Sequence, residues 1–433
     1  EFRRVLFRSL KAMSDRIEKL QDTAWCITKE LIDNVKKVKK FFNSNQIPVT
    51  HNSVEVFKNI NAVLNSIDRL EVRGRDSAGI SLLFTFEKGE YQNFYNSLEK
   101  ADMKKELDKR LNQEVLVNKG ISISKTGSKA FCIAMMYKVA AEIGSLGDNI
   151  SFLRNQIQND RILHKLINFN FMFHTVSSHT RWASMGAITE FNCHPVDNKT
   201  QPATSDKQGI IHVSLNGDID NFQELKAVYE SDGNTIPKEI TTDTKIIPLT
   251  IHSYVKQGND IQEAFRMAVS DFKGSHAISM HTDMAPGKLF LAQKGSGQAL
   301  FVGIADDHYM PASEVYGFVE ETCSYIKLNG EKTVQSEKGK TQGQIFILNQ
   351  NPTGGTHGIK AMFYDGTPIQ LSRSDISRTQ ITSRDIDRSN FPHYFLKEIS
   401  EAPDSVRKTL GNRWNIKEHE NRYSLRLDEK TFP

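Results

Sequence analysis

Residues 179–186 read HTRWASMG, and they set Arg181 and Trp182 side by side in a short polar stretch that ends on glycine. Further along, SLNGDIDN (214–221) places Asn216 beside Gly217, and TTDT (241–244) holds Asp243. Together these are the groups that a site for a free amino acid requires. A forked guanidinium, here Arg181, is the best partner for an α-carboxylate, and a carboxylate, here Asp243, suits an α-ammonium. Cleaving a side-chain amide also needs donors aimed at a developing oxyanion. An Asn amide next to a glycine N–H supplies two donors in little space, because glycine tolerates close approach and unusual backbone angles. Each residue also has a plainer reading when taken singly: Arg181 as a surface arginine, Asp243 as the N-cap of the segment TKIIPLTIHSYV, and Asn216–Gly217 as a type I′ hairpin turn.

The totals bound the problem. A chain of 433 residues, 38% hydrophobic and 25% charged, has room for two or three domains and a real core. No run approaches the roughly eighteen apolar residues of a membrane span. Cys26, Cys132, Cys193 and Cys323 are scattered and form no CxxC pair, which argues against a zinc ribbon or disulfide framework and for a reducing, cytoplasmic setting. The first nine residues, EFRRVLFRS, hold three arginines and one glutamate and read as a translated adapter. Without their +2, the net charge of +4 falls to +2, which gives no reason to expect nucleic acid as a partner.

Periodicity organises the rest. Ile17, Leu20, Ala24, Ile27, Leu31, Val35, Val38 and Phe42 step by threes and fours, the mark of an amphipathic helix. Lys36, Lys37, Lys39 and Lys40 then fall on its solvated face. Phe57, Ile60, Leu64 and Ile67 predict a second helix, and GISLLFTF predicts a buried strand. Residues 89–169 read as helical, including AFCIAMMYKVAAEIGSLGDNISFLRNQI. From about residue 172 short strand-like runs (IIHVSL, HAISMHT, KLFLAQ, ALFVGIA, SYIKL, GQIFIL) alternate with Gly, Asn and Asp turns. Helical stretches near Phe222–Tyr229 and Thr244–Val269 interrupt them, which predicts a layered α+β domain. The last forty residues or so read as polar and helix-like.

With EVRGRDSAGI (71–80), NCHP (192–195) and LNGDIDNFQEL added, the ordered set resembles the class II glutamine amidotransferases. That resemblance implies an α+β fold, the four-layer αββα N-terminal-nucleophile hydrolase architecture. DIDRSNFPHYFLKEISEAPDSVRKTL (385–410) resembles the segment that leads to the sugar-isomerase domains of the glucosamine-forming, fructose 6-phosphate-dependent members. The implied organisation is an adapter over 1–9, a helical N-terminal insertion over 10–60, and an amidotransferase domain over 61–384. The domain carries a helical insertion at 88–170, and 385–433 forms a linker towards sugar-isomerase domains outside this sequence.

Carried over by position, the resemblance assigns Arg181 to the glutamine α-carboxylate and Asp243 to its α-ammonium. It assigns Asn216 and Gly217 to the oxyanion hole, Trp182 to a loop closing over substrate, Ser184 to the site lining, and Arg73 to packing near the nucleophile. Glutamine is the implied partner, with fructose 6-phosphate bound in the absent domains, a homodimer in the complete enzyme, and neither metal nor cofactor needed. Met185 stands where histidine is common and Lys245 where glutamate is. The family nucleophile is a cysteine at the mature amino terminus, whose α-amine (pKa about 7.7–8.0) is the base. An internal cysteine cannot play that part, so the reading is a chain that lacks its native start and the Met-Cys-Gly expected there. The competing reading is a glutamine-binding or scaffold module without turnover, or a class II amidotransferase with another acceptor.

Overall fold

The computed structural model describes residues 2–42, 48–111, 115, 117–127, 129–140, 146–183, 185–200, 209–336, 339–351, 354–410, 414–417 and 422–425. The chain divides into two units, Glu1–Thr382 and Ser383–Pro433.

In the first unit helices α1 (Phe2–Trp25), α2 (Asp33–Phe42) and α3 (His51–Leu70) precede strand β1 (Ser77–Glu87). Then come α4 (Lys88–Lys100), α5 (Lys104–Leu111), β2 (Ile121–Thr126), β3 (Ala130–Ala140), α6 (Asp148–Gln158), α7 (Arg161–Leu166) and β4 (Phe173–Arg181). The strands form one sheet in the order β2-β3-β1-β4. Successive side chains on a strand point to opposite faces. Ala78, Ile80, Leu82, Phe84 and Phe86 of β1 therefore pack with Val56, Phe57, Ile60 and Leu64 of α3 and with the helices that follow. Its other face, with Leu83, meets Cys132, Ala134, Met136 and Ile210.

The second half supplies β5 (Val196–Asp197), β6 (Ile211–Gly217), α8 (Phe222–Ser231), α9 (Ile246–Lys256), α10 (Ile261–Asp271), β7 (His276–Thr282) and β8 (Lys288–Lys294). It continues with β9 (Phe301–Ile304), β10 (Tyr309–Ala312), β11 (Ser324–Lys327), β12 (Thr333–Ser336), β13 (Gly339–Gln342), β14 (Gln344–Asn349), β15 (Ile359–Phe363), β16 (Pro368–Ile369) and β17 (Ser377–Arg378). A seven-stranded sheet runs β16-β15-β14-β8-β7-β6-β5, and a four-stranded one β10-β9-β11-β17. Ile211, Val213, Leu215, Ile278 and Met280 bury against α9 and α10 on one face of the larger sheet. The opposite face presents His212 and His281, which both contact Ser81 of β1 (2.5 and 3.0 Å). The layers thus run helix, sheet, sheet, helix, as expected for the αββα class. Leu291, Phe346 and Leu348, on the same inner face, pack against Val302 and Ile326 of the four-stranded sheet.

Several sequence expectations need correction. Residues 121–126 and 130–140 are strands, the second paired along its whole length to β1, although the whole stretch 89–169 read as helical. Ala, Met and Lys favour helices, but both faces of β3 are buried, with Ile133, Met135 and Tyr137 on one side and Cys132, Ala134 and Met136 on the other. A short apolar run buried on both faces carries no periodicity that separates strand from helix. The helical stretch over 244–269 is broken at Gly258 (φ +95°), after which the Asp260 carboxylate caps α10 by accepting from Gln262 and Glu263 N–H. The apolar face of the first helix is not buried along its length: Met13, Ile17, Leu20, Ile27, Leu31 and Val35 are exposed. Only the far end packs on α3, where Phe41 stacks on Phe57 at 5.0 Å. Within the lysine run, Lys37 is half-buried and donates to Asn65 Oδ1 at 3.0 Å, and burial lowers its pKa.

The second unit holds α11 (Ser383–Ile386), α12 (Tyr394–Leu410) and a hairpin of β18 (Trp414–Lys417) with β19 (Arg422–Leu425). That hairpin departs from the helix-like reading of the last residues.

Candidate functional site

Alternation decides what faces the gap between the layers. β4 pairs with β1 so that Ser177, His179 and Arg181 stand opposite Ser81, Gly79 and Ser77. They share the inner face that meets His212, Ser214 and Asn216 of β6. β4 and β10 are each the outermost strand of their sheets among the described residues, and both line one cavity of about 1160 Å³. The same cavity is lined by Arg181, Trp182, Asn216, Gly217 and Asp243. The structure therefore brings together five of the seven residues singled out from the sequence. Arg73 has its backbone in the short turn Glu71–Arg73, and its side chain, like all of Ser184, lies outside the described residues.

Arg181 ends β4 with its side chain buried, and its guanidinium donates to the carbonyls of Met185 and Ala187 (3.4 Å to the latter). A guanidinium has five N–H donors, so these two bonds position the fork without exhausting it. Burial lowers its pKa, while Cys193, Asp243 and Asp76 favour the charge. The loop after Arg181 is held twice by Asp76, whose N–H donates to Arg181 O (3.2 Å) and whose carboxylate accepts from Ala183 N–H (2.7 Å). Gly74 is required here because a Cβ would lie 2.8 Å from the Arg181 carbonyl carbon. Trp182 is 73% exposed at the cavity mouth.

Asn216 and Gly217 close β6 in register with Ala277 and His276 of β7; they do not form a hairpin turn. Gly217 has φ +95°, and a Cβ there would run into Ser275 O, so both the backbone angle and the space demand glycine. The His179 Nε2–H donates to Asn216 Oδ1 at 2.7 Å. Burial lowers the His179 pKa to about 4, which leaves the ring neutral at pH 7. With its oxygen committed, the Asn216 amide turns its NH₂ towards other partners.

Asp243 opens a 3-10 turn whose N-cap is Thr242, not Asp243. The Asp243 carboxylate accepts from Ile219 N–H at 2.9 Å, tying this loop to the segment after Gly217. Burial raises the pKa of Asp243. The loop itself hangs on Asn192, which is fully buried. Its Oδ1 accepts from Thr241 and Thr242 N–H (2.7 and 3.0 Å), and its Nδ2 donates to Thr189 Oγ1 and Glu239 O (3.0 and 3.2 Å). His194, beyond a cis peptide to Pro195, contacts Thr244 Oγ1 at 2.9 Å. Asp76, His179, Asn192 and His194 all stand inside motifs visible in the sequence. Their positioning roles depend on partners far along the chain.

Lys245 does not line the cavity. It is fully buried and donates to the carbonyls of Asp197 and Lys199 (both 2.6 Å), with the Asp197 carboxylate at 3.5 Å. None of the four cysteines lines the cavity either. Cys132 contacts Thr85 and Thr126 hydroxyls at 3.3 Å, and burial raises its pKa and that of Cys193. A hydrogen bond to Glu30 lifts Cys26 to about 11. A nucleophilic cysteine needs a lowered pKa, and these three are shifted the other way. His194 faces the cavity while the neighbouring Cys193 does not, so the pair does not act as a dyad. Among the described residues no group of His, Cys, Asp and Glu is arranged to hold a metal ion, and no helix is long and apolar enough to cross a membrane.

Residues 189–320 match a family described as a glutamine amidotransferase domain. The chain is 29% identical over 233 residues to glutamine–fructose-6-phosphate aminotransferase [isomerizing] of Methanothermobacter thermautotrophicus, covering 54% of this chain and 34% of that one. It is likewise 29% identical over 248 residues to the enzyme of that name from Bacillus spizizenii, covering 57% and 36%. The chain thus spans about a third of the length of these relatives. A solved structure of the allosteric regulatory enzyme of purine biosynthesis is similar at 16% identity and a TM-score of 0.40, covering 70% of this chain and 46% of that one. Over residues 189–320 the chain thus matches a glutamine amidotransferase domain, and over about half its length it is similar to the glutamine–fructose-6-phosphate aminotransferases.

Proposed function

We propose that the cavity binds L-glutamine and is the glutaminase site of an enzyme that delivers ammonia to fructose 6-phosphate, forming glucosamine 6-phosphate. The observation that carries this reading is the convergence of Arg181, Asp243, Asn216 and Gly217 on one cavity. In it Arg181 takes the α-carboxylate by a charge-assisted fork and Asp243 takes the α-ammonium. Trp182, exposed at the mouth, folds over the bound amino acid. The side-chain amide carbonyl then lies between Asn216 Nδ2 and the Gly217 N–H. Those donors stabilise the oxyanion that forms on attack, and preorganised donors of this kind supply much of the rate.

The nucleophile in this proposal is the amino-terminal cysteine that the family resemblance implies, with its own amine as base. Two features support it: the unfavourable settings of Cys26, Cys132 and Cys193, and the edges of β4 and β10 beside the cavity, which pair with no further strand among the described residues. The thiol attacks the amide carbon, ammonia leaves with the transferred proton, and water hydrolyses the thioester to glutamate. The acceptor, and a homodimer contact, belong to sugar-isomerase domains in the complete protein. The names of the relatives and the resemblance of residues 385–410 support that part.

The test is glutamate release from glutamine by the complete gene product and by its Asn216→Leu variant. Loss of one oxyanion donor lowers kcat by about 10²–10³. Binding of glutamine to the complete protein without any glutamate release favours the sensor reading. Unchanged turnover in the variant removes Asn216 from the mechanism.

A further inference from the structure

The exposed face of the first helix has a stricter order than amphipathicity requires. Met13, Ile17, Leu20, Ala24, Ile27 and Leu31 alternate spacings of four and three, the a/d rhythm of a coiled coil. Their side chains are 62, 51 and 70% exposed at Met13, Ile17 and Leu20, and 48 and 57% exposed at Ile27 and Leu31. No described side chain between residues 12 and 32 is buried. The same rhythm continues through Asn34, Val38 and Phe41, and there the structure shows what covers it: another helix. Asn34 Oδ1 accepts from Asn61 and Asn65 Nδ2 of α3 (3.1 and 2.7 Å), and Phe41 stacks on Phe57. One heptad rhythm in the sequence is therefore helix-packed at one end and exposed along the rest.

We propose that the open part, residues 13–31, pairs antiparallel with the same seam of a second copy of this chain. Three features of the sequence select that occupant. Antiparallel pairing centred on residue 22 sets Ile17 against Ile27, Met13 against Leu31, and Leu20 against Ala24, so a large side chain meets the small one. It also brings Arg16 of each copy beside Glu30 of the other, giving two ion pairs on the flanks. The remaining flanking positions, Ser14 with Thr28 and Gln21 and Thr23 each with itself, carry no charge. Parallel pairing would instead put Ala24 on Ala24 and face Arg16 with Gln21 and Glu30 with Val35, leaving a void and no ion pair. The overlap is about 28 Å at 1.5 Å per residue.

Residues Cys26–Ile32 form wide i→i+5 turns, which displace Ile27 and Leu31 from the line of an α-helical seam. Full pairing closes this stretch to α geometry. Short π segments of this kind are common at functional positions.

The experiment is sedimentation equilibrium of the 433-residue chain, with Leu20→Glu, Arg16→Glu and the double variant Arg16→Glu/Glu30→Arg. Arg16 and Leu20 are exposed, and Glu30 is half-buried with Cys26 of its own helix as a hydrogen-bond partner, so circular dichroism checks that each variant keeps its helix. The parent chain should show a mass rising from one copy towards two with concentration. Leu20→Glu should abolish that rise and Arg16→Glu should weaken it at least tenfold, while the charge-swapped double variant restores it. A parent chain that stays monomeric overturns the proposal. So does a dimer indifferent to Leu20→Glu, or an Arg16→Glu defect that the swap does not repair.

Discussion

Replacing Asn192 by alanine tests whether the Asp243 loop is hung from that one side chain. Asn192 is fully buried and makes four hydrogen bonds, two of them accepted from the backbone N–H groups of Thr241 and Thr242. Alanine leaves those two N–H groups and the Glu239 carbonyl without their partner in a dry site. A buried polar group left unmade costs about 1–3 kcal/mol. The two N–H groups alone therefore amount to about 2–6 kcal/mol, and partial relaxation of the loop places the expected loss near the lower half, about 3 kcal/mol. Asn192→Asp keeps the acceptor and should lose less, since its second oxygen can still accept from the Thr189 hydroxyl and conflicts only with Glu239 O. Urea unfolding of the three proteins measures the stability. Calorimetric titration with L-glutamine reads the site separately, because a slack Thr241–Asp243 segment misplaces the carboxylate proposed for the ammonium. An alanine variant that loses less than about 1 kcal/mol and binds glutamine as tightly as its parent would refute the reasoning.

Arg181→Lys keeps the charge but loses the fork, and charge-assisted bonds of about 1.5–3 kcal/mol predict glutamine affinity weakened about ten- to hundredfold by calorimetry; an unchanged affinity removes Arg181 from carboxylate recognition. Gly79→Ala should cost about 1–3 kcal/mol by overpacking, since its Cβ would enter the His194 carbonyl, and a thermal melt equal to the parent's would show that the NCHP segment does not lie against β1. Burial holds His174 near 3 and His179, His212, His252 and His276 near 4, below the unfolded value of about 6.5, so their stability is complete above pH 6.5 and is lost as pH falls towards 4. At pH 5 each costs about 2 kcal/mol at 1.36 kcal/mol per unit; Asp283, raised to about 6 by burial, has the opposite sign and returns about 1 kcal/mol. A loss of roughly 8 kcal/mol between pH 7 and 5 is expected in urea titrations, and a loss under about 2 kcal/mol contradicts the buried neutral histidines.

Much of the site was legible in the sequence because its chemistry is local. Asn216–Gly217 are neighbours, Arg181 and Trp182 are neighbours, and their residue types alone state which ligand groups they suit. The strands from residue 211 onward were legible too, since Ile211, Val213 and Leu215 alternate with polar residues, one face buried on helices and the other turned inward. Where both faces are buried the signal fails, as in residues 130–140, whose apolar run reads as helix until β1 pairs with it. The first helix shows the converse limit: periodicity reports an apolar stripe but not whether anything covers it. Tertiary structure alone decided that Asn192 carries the Asp243 loop, that His179 commits the Asn216 oxygen, and that Lys245 turns away to Asp197. Those bonds join residues 37–50 positions apart, and only closure of the two sheets brings them within reach.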